Sequence, residues 1–289
     1  MSKHIETLSQ EQRSKRILTF TFTVIAIFYV LPIMLVLINS LKSNSYVNME
    51  TFALPNAKSF VGLDNYKTGM TFGNYPFVKS ALYSLFITIV SSMLILICTS
   101  MAAWYIARVG SLFSRIVYYL CVFSMVVPFQ MVMFTLAKTA DTLKLNTPWT
   151  IPIVYLGFGA GLAVFMFAGF VKNIPLEIEE AAMIDGCSEM KAMWKVMIPM
   201  ASPGIITVTI FNFMNIWNEY FMALIFANGN DKIRTLSMGL QNMITSMKYT
   251  GDWAGLFAGV IIVLVPTLIL YLLLSEKIVA GITGGAVKG

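Results

Sequence analysis

Six long runs of apolar residues, separated by shorter polar stretches, dominate the pattern of this 289-residue sequence. A segment needs about 20 mostly apolar residues to cross the hydrocarbon core of a bilayer, and each run has roughly that length. Strand-type alternation is absent, and a backbone in lipid must satisfy its polar groups within its own segment, so each run predicts a transmembrane helix. The predicted spans are approximately residues 17–41, 78–107, 116–137, 150–171, 204–227 and 254–275.

Four of these spans contain a proline, at Pro32, Pro128, Pro152 and Pro266. A proline in a transmembrane helix can mark a kink or a helix end that neighbouring helices stabilise. It can also mark a broken helix at a translocation site. The sequence leaves both interpretations open.

The composition supports an all-α integral membrane protein. Hydrophobic residues make up 57% of the chain and the mean hydropathy is +0.76, whereas soluble domains usually hold about 45–50% apolar residues. The net charge of +6 is dispersed between apolar runs, so a nucleic-acid partner is not expected. The three cysteines show no spacing typical of a metal site or a disulfide framework.

The arginines predict the orientation of the chain. Arg13 and Arg16 precede the first span, Arg108 and Arg115 flank the short loop after the second, and Arg234 falls on the opposite side. Because basic residues concentrate in cytoplasmic loops, both termini and the loop after the fourth span are predicted to be cytoplasmic. The polar N-terminus is interpreted as a cytoplasmic tail and not as a cleaved signal.

A polar interruption at residues 177–199 holds five carboxylates and two lysines between two apolar spans. Pro175 and the acidic residues after it favour a helix start, and Gly186 favours a stop. Ser188 can cap a second short helix. The segment therefore predicts two helices joined by a tight turn.

The second of these helices carries an apolar stripe, because its larger apolar residues recur at helical spacing. Some 23 residues have no core of their own, so the stripe must pack on the membrane bundle, on the lipid surface or in a groove of a partner protein. Physical reasoning alone leaves partner docking and an interfacial loop open. The stripe consists of Met190, Met193, Trp194 and Met197.

The fifth span carries a polar stripe among aromatic residues. An intramembrane carboxylate such as Glu219 should face the bundle interior or a water-filled path. Amides beside aromatic rings suit a sugar, but they also serve as hydrogen-bonding contacts between helices, and Glu219 could alternatively lie at a dimer contact. The possible substrate-path residues are Asn212, Asn215, Trp217, Asn218, Glu219 and Tyr220.

The polar interruption resembles a known signature. Gly186 follows Glu180-Ala181-Ala182 after three residues, and Val196-Met197-Ile198-Pro199 follows after nine more. This pattern is similar to the E-A-A-x3-G-x9-I-x-L-P signature of permease subunits of bacterial ABC importers. The run Trp217-Asn218-Glu219-Tyr220 and the C-terminal residues 281–289 resemble the carbohydrate-uptake branch, in particular MalG-type subunits.

The resemblance implies a type I ABC importer permease fold, with six transmembrane helices and cytoplasmic coupling helices. It also implies three regions: a tail, first helix and outer loop at 1–77, a permease core at 78–275 that includes a coupling segment at 175–200, and a cytoplasmic tail at 276–289. Coupling to an ATPase subunit is expected through Glu180, Ala181, Ala182, Asp185, Gly186, Ile198 and Pro199. A further contact with the ATPase is expected through the C-terminal residues Gly285, Ala286, Val287 and Lys288.

The function implied is that of half of the translocation pathway of an ATP-driven carbohydrate importer in the bacterial cell membrane. Its expected partners are a second, MalF-like permease subunit, two ATP-binding subunits, an extracellular sugar-binding protein and membrane lipid. No Walker-type loop occurs, so a non-catalytic chain without metal or cofactor is expected, with ATP and Mg on the partner ATPase subunits. The alternative is an ion-coupled secondary transporter, for which Glu219 is the one ionisable group near a midplane and no internal repeat is evident.

Overall fold

The computed structural model describes residues 2–71, 77–227 and 235–286. Within these ranges most residues are helical, and the regular pairing outside helices is a single bridge between Lys42 and Phe60. This confirms the predicted all-α fold. The helices are α1 (Ser2–Ser40), α2 (Asn44–Met49), α3 (Asp64–Met70), α4 (Phe77–Arg108), α5 (Leu112–Val126), α6 (Phe129–Thr142), α7 (Ile151–Lys172), α8 (Leu176–Ile184), α9 (Glu189–Ala192), α10 (Ile198–Met200), α11 (Ser202–Asn218), α12 (Phe221–Ala227), α13 (Leu236–Thr250) and α14 (Trp253–Ala286), with a π-helical turn (Met193–Met197) between α9 and α10.

Four of the described helices are long and apolar enough to cross a membrane by themselves: α4, α7, residues 12–40 of α1 and residues 253–273 of α14. Two further candidates are helix pairs bent at a short break, so the described residues hold up to six spans. One pair is α5 with α6, bent by 110°, and the other is α11 with the helical segment 189–200 before it, bent by 78°.

The third predicted span is not one continuous helix. α5 ends at Val126, Val127 and Pro128 are extended (ψ 113° and 134°), and α6 resumes at Phe129 in a different direction. Proline donates no amide hydrogen and disfavours helical geometry at the residue before it, so the chain turns here. A broken helix thus occurs at Pro128, whereas Pro32 and Pro266 lie inside continuous helices.

The fifth predicted span is also interrupted, at a place without proline or glycine. α11 ends at Asn218, Glu219 is extended with φ −68° and ψ 130°, and α12 begins at Phe221. The expectation of one helix over 204–227 was therefore wrong. The physical reason lies in the side chain of Glu219, described below.

One compact unit comprises Met1–Gly73 with Met243–Ile262. In it, the amide of Asn44 donates to Gly251 O (2.9 Å) and its carbonyl accepts from Trp253 N (2.9 Å). The buried ammonium of Lys42 donates to Glu50 O (2.8 Å) and Asn39 Oδ1 (3.3 Å). Burial lowers the pKa of Lys42, and the Glu50 carboxylate opposes that effect.

The other unit comprises Asn74–Asn242 with Val263–Gly289. Here α4 packs along α7, and α5 and α11 pack against α7 as well. The core between these helices is aliphatic and aromatic, with Ile87, Ile95, Phe167 and Val208 almost fully buried. The fold thereby fixes α4, α7 and α11 as one bundle, and the two functional sites lie on it.

Candidate functional sites in the EAA segment and at two helix breaks

Residues 175–200, called the EAA segment below, begin with a helix that ends in a glycine turn. Gly186 has φ +86°, a conformation that glycine adopts without strain. Its amide donates to Met183 O (3.0 Å), and the amide of Cys187 donates to Ala182 O (3.0 Å). These two bonds form a Schellman motif, which satisfies the last carbonyls of α8. The predicted turn at Gly186 is confirmed.

The second half of the EAA segment divides its apolar stripe between two environments. Met193 and Met197 are each 1% exposed, whereas Met190 and Trp194 are 49% and 40% exposed. The π-helical turn carries both buried methionines. Ser188 occupies the cap position of α9, but its side chain accepts no capping hydrogen bond. Of the four residues in the predicted stripe, two therefore pack against the helix bundle and two remain exposed on the surface of the chain.

A buried ion pair that the sequence did not reveal joins the EAA segment to α4. Glu179 is almost fully buried, and its Oε1 accepts from Arg108 Nε. Its Oε2 accepts from Trp104 Nε1 at 2.9 Å, and Arg108 Nη2 donates to Ile174 O at 2.9 Å. Both oxygens of the carboxylate are thus satisfied by α4, as a buried charge requires.

The residues of the E-A-A signature lie mostly on the surface of the chain. Glu180, Ala181, Asp185, Gly186 and Pro199 are exposed, in contrast to the neighbouring Glu179. Ala182 and Ile198 are half-buried, and Ile184 is 85% exposed. The end of α8 and the turn therefore present a mixed acidic and apolar surface.

A cavity of about 320 Å³ lies where the two broken helices resume. α6 begins at its wall with Phe129 and Gln130, and α12 begins there with Phe221. Phe129 and Phe158 meet edge to face with ring centroids 4.9 Å apart. The volume falls in the range of small-ligand sites. The lining residues are Phe129, Gln130, Tyr155, Phe158, Gly159, Asn212, Asn215, Ile216, Glu219, Phe221 and Met222.

The carboxylate of Glu219 holds the break in the fifth span open. Its Oε1 accepts from Met222 N (2.7 Å), and its Oε2 accepts from Ala223 N (3.3 Å) and Tyr155 Oη (3.1 Å). The first amides of a helix lack partners within it and attract negative charge. Glu219 therefore serves as the N-terminal cap of α12, a role that the sequence pattern did not indicate.

The six candidate path residues fall into two groups. Asn212, Asn215 and Glu219 line the cavity. Trp217 is buried and donates from Nε1 to Val263 O in α14 (3.1 Å), and the exposed Asn218 donates to Met214 O (2.8 Å). Tyr220 contacts the ring of Phe221 with centroids 5.4 Å apart.

The expected C-terminal contact lies at the limit of the described chain. Gly285 and Ala286 are the last helical residues of α14, whereas Val287 and Lys288 lie outside the described residues.

Several residues at these sites were missed by the sequence reasoning. Gln130 and Tyr155 are polar groups inside predicted spans, and Gln130 follows Pro128 closely, so both could have been flagged. Glu179 could not be distinguished from Glu180, because both lie in a polar stretch with no apolar periodicity to assign a buried face.

Comparison with known proteins identifies the family. A model described as "Binding-protein-dependent transport system inner membrane component" matches residues 95–275. A probable starch degradation products transport system permease protein from Thermoanaerobacterium thermosulfurigenes is 34% identical over 274 residues, covering 95% of this chain and 97% of the relative. A multiple sugar-binding transport system permease protein from Streptococcus mutans serotype c is 30% identical over 269 residues, covering 92% and 94%.

A solved structure shows the same fold. One chain of a bacterial ABC transporter involved in the import of the acidic polysaccharide alginate matches with a TM-score of 0.74 at 22% identity, covering 91% of this chain and 97% of that chain. The predicted ABC importer permease fold and the non-catalytic membrane role are confirmed. The chain belongs to the family of binding-protein-dependent transport system inner membrane components.

Proposed function

We propose that this chain is a permease subunit of an ATP-driven bacterial carbohydrate importer and forms half of its translocation pathway. The observation that carries the proposal is the likeness, over more than nine-tenths of the chain, to two permeases named for starch degradation products and for multiple sugars. The ion-coupled alternative finds no support, since Glu219 is committed to three hydrogen-bond donors.

The cavity at the two helix breaks is proposed as part of the sugar path. Its amides, Gln130 and Asn215, offer both donors and acceptors to hydroxyl groups, and the rings of Phe129 and Phe158 offer apolar faces. Broken helices are the common way in which transporters place polar groups at a substrate site within the membrane. Asn212 and Glu219 shape the wall through their own internal hydrogen bonds.

The EAA segment is proposed as the coupling element that docks an ATPase subunit at the cytoplasmic face. The exposed end of α8, with Glu180, Ile184 and Asp185, offers carboxylates around one apolar side chain. Met190 and Trp194 extend the apolar part of this surface. A charged rim around an apolar centre is typical of protein interfaces.

The complete importer then needs further chains. It would contain a second homologous permease, two ATP-binding subunits that hold ATP and Mg, and an extracellular sugar-binding protein. Both termini of this chain would lie in the cytoplasm, where Gly285 to Lys288 could reach the ATPase.

Docking can be tested by charge reversal and by distortion of the turn. Glu180→Lys and Gly186→Pro should abolish co-purification of the ATPase subunit with the tagged chain, since proline cannot adopt φ +86°. Glu177→Lys is the matched control, because Glu177 is exposed on the same helix one turn earlier. Full ATPase recovery in both test variants would refute the docking surface.

The sugar assignment needs a separate experiment. The complex should be purified from its native bacterium with its binding protein and placed in nanodiscs, and ATP hydrolysis measured with a panel of mono-, di- and oligosaccharides. Stimulation by at least one sugar is expected. Stimulation by amino acids or metal ions, with none by sugars, would contradict the proposal.

A further inference from the structure

α4 presents one face to the EAA segment over its last two turns. Ser100, Trp104 and Arg108 recur every four residues, so their side chains lie on the same side of the helix. Trp104 and Arg108 hold Glu179 by hydrogen bonds, and Arg108 also holds Ile174 O just before α8. The start of α8 is thereby fixed to α4 at two points.

The second half of the EAA segment rests on the same face. Met193 and Met197 are buried against a socket that includes Ser100, Trp104 and Phe167, with a residual void of about 10 Å³. Such a void barely admits one water molecule, so the contact is close-packed. α8 also packs on the π-helical turn, which makes the EAA segment one body held by α4.

α4 also reaches the proposed sugar path, at a point farther from the EAA segment. Ile95 lies thirteen residues before Arg108 on α4, which corresponds to about 20 Å of helix. A Cβ built on Gly159 would lie 2.4 Å from Ile95 Cδ1 and 2.7 Å from Asn212 Oδ1, so both side chains pack closely on Gly159 in the cavity wall. A shift of α4 along its axis must therefore move the cavity wall.

We propose that Arg108 and Trp104 are positioning residues, which lock the EAA segment to α4 through Glu179 so that displacement of the segment by a bound ATPase reshapes the cavity. The inference rests on the proposed function, and it assigns the transmission of movement to Glu179 and the docking contact to Glu180. An ion pair with a buried carboxylate and a mostly covered guanidinium suits this role, because separating two charges away from water is costly.

The test uses a cysteine at the cavity as a reporter in the assembled transporter. Asn215→Cys is introduced with the three native cysteines replaced by serine, and its maleimide labelling rate is measured with and without AMP-PNP and Mg²⁺. The nucleotide should change the labelling rate in this background by at least about fivefold, the lower end of typical coupling between sites. Glu179→Gln and Arg108→Gln should remove that change while the ATPase subunit still co-purifies.

Two further variants distinguish loss of the response from misfolding of the chain. The double variant Arg108→Gln/Glu179→Gln leaves no unpaired buried charge, and it should assemble and still lack the response. Trp104→Phe keeps an aromatic ring, although a smaller one, and removes one hydrogen bond, so it should reduce the response only in part. Glu177→Gln and Arg115→Gln remove exposed charges of the same kinds, and they should keep the full response.

Three outcomes would overturn the inference. The first is an unchanged nucleotide response in the double variant. The second is loss of the ATPase subunit from the Glu179→Gln complex, which would place the pair in docking and not in transmission. The third is the absence of any nucleotide response in the reporter background while the ATPase co-purifies, which would refute transmission and leave the docking proposal intact.

Discussion

Glu219→Gln separates the structural from the transport role of the polar stripe in the fifth span. The carboxylate accepts from Met222 N, Ala223 N and Tyr155 Oη. Glutamine has one acceptor oxygen; placed at the Oε2 position it keeps the bonds from Ala223 N and Tyr155 Oη, so the amide of Met222 is the donor left without an acceptor. A buried donor left without a partner costs about 1–3 kcal/mol, so we expect the free energy of unfolding to fall by about that amount.

The assay is thermal unfolding of the purified complex in detergent, followed by transport in proteoliposomes. The expected loss corresponds to a fall in Tm of about 5 °C. Asn215→Leu is the matched comparison, because Asn215 is exposed at the cavity wall on α11, four residues before Glu219. It should leave Tm almost unchanged, as surface substitutions usually do, and reduce sugar uptake.

Two results would refute this reasoning. An unchanged Tm in Glu219→Gln would mean that the carboxylate does not hold the start of α12. A fall in Tm of equal size in Asn215→Leu, with sugar uptake per folded complex unchanged, would make the whole stripe a packing element and would remove Asn215 from the path.

Three further predictions follow from the backbone and the packing. Gly186→Ala should lower Tm by the equivalent of about 1–2 kcal/mol, because φ +86° is strained for a residue with a Cβ, and Gly186→Asn should lose less. Gly159→Ala should lower the free energy of unfolding by about 1–3 kcal/mol through overlap with Ile95, seen as a lower Tm, whereas Gly157→Ala, which would meet nothing within 4 Å, should not. The pKa of Lys42 is lowered in the folded chain, so between that pKa and the ordinary lysine value of 10.5 the unfolded chain binds more protons than the folded one. The free energy of unfolding of the unsubstituted protein, relative to that of Lys42→Met, should therefore rise as the pH approaches 10.5. Thermal unfolding of both proteins over this pH range measures the difference.

The sequence allowed the membrane class, the all-α fold and the turn at Gly186 to be predicted. These follow from local rules: an apolar run of sufficient length must be helical in lipid, and a glycine after an acidic helix start favours a left-handed turn. The family signature around Glu180 was equally local, because its spacing is readable without coordinates.

Local rules of this kind could not predict the roles of Glu219 and Glu179. Both are carboxylates whose roles depend on donors far along the chain, Tyr155 for Glu219 and Trp104 and Arg108 for Glu179. Nothing in the sequence near Glu219 marks a helix end, since neither proline nor glycine is adjacent. The break is stabilised by a side chain and a distant hydroxyl group, so it became visible only in three dimensions.

The sequence by itself thus predicted which segments are long and apolar enough to cross a membrane, because transfer of residues from water into lipid depends on their chemistry alone. Only the tertiary structure decided that the fifth predicted span breaks at Glu219, that this break shares one cavity with the break at Pro128, and that Glu179 and not Glu180 is held by α4. Those features arise from pairing between groups more than 60 residues apart, as with Glu179 and Arg108 or Glu219 and Tyr155. In a close-packed bundle, the position of each such group is fixed by its neighbours in space and not by its neighbours in the chain.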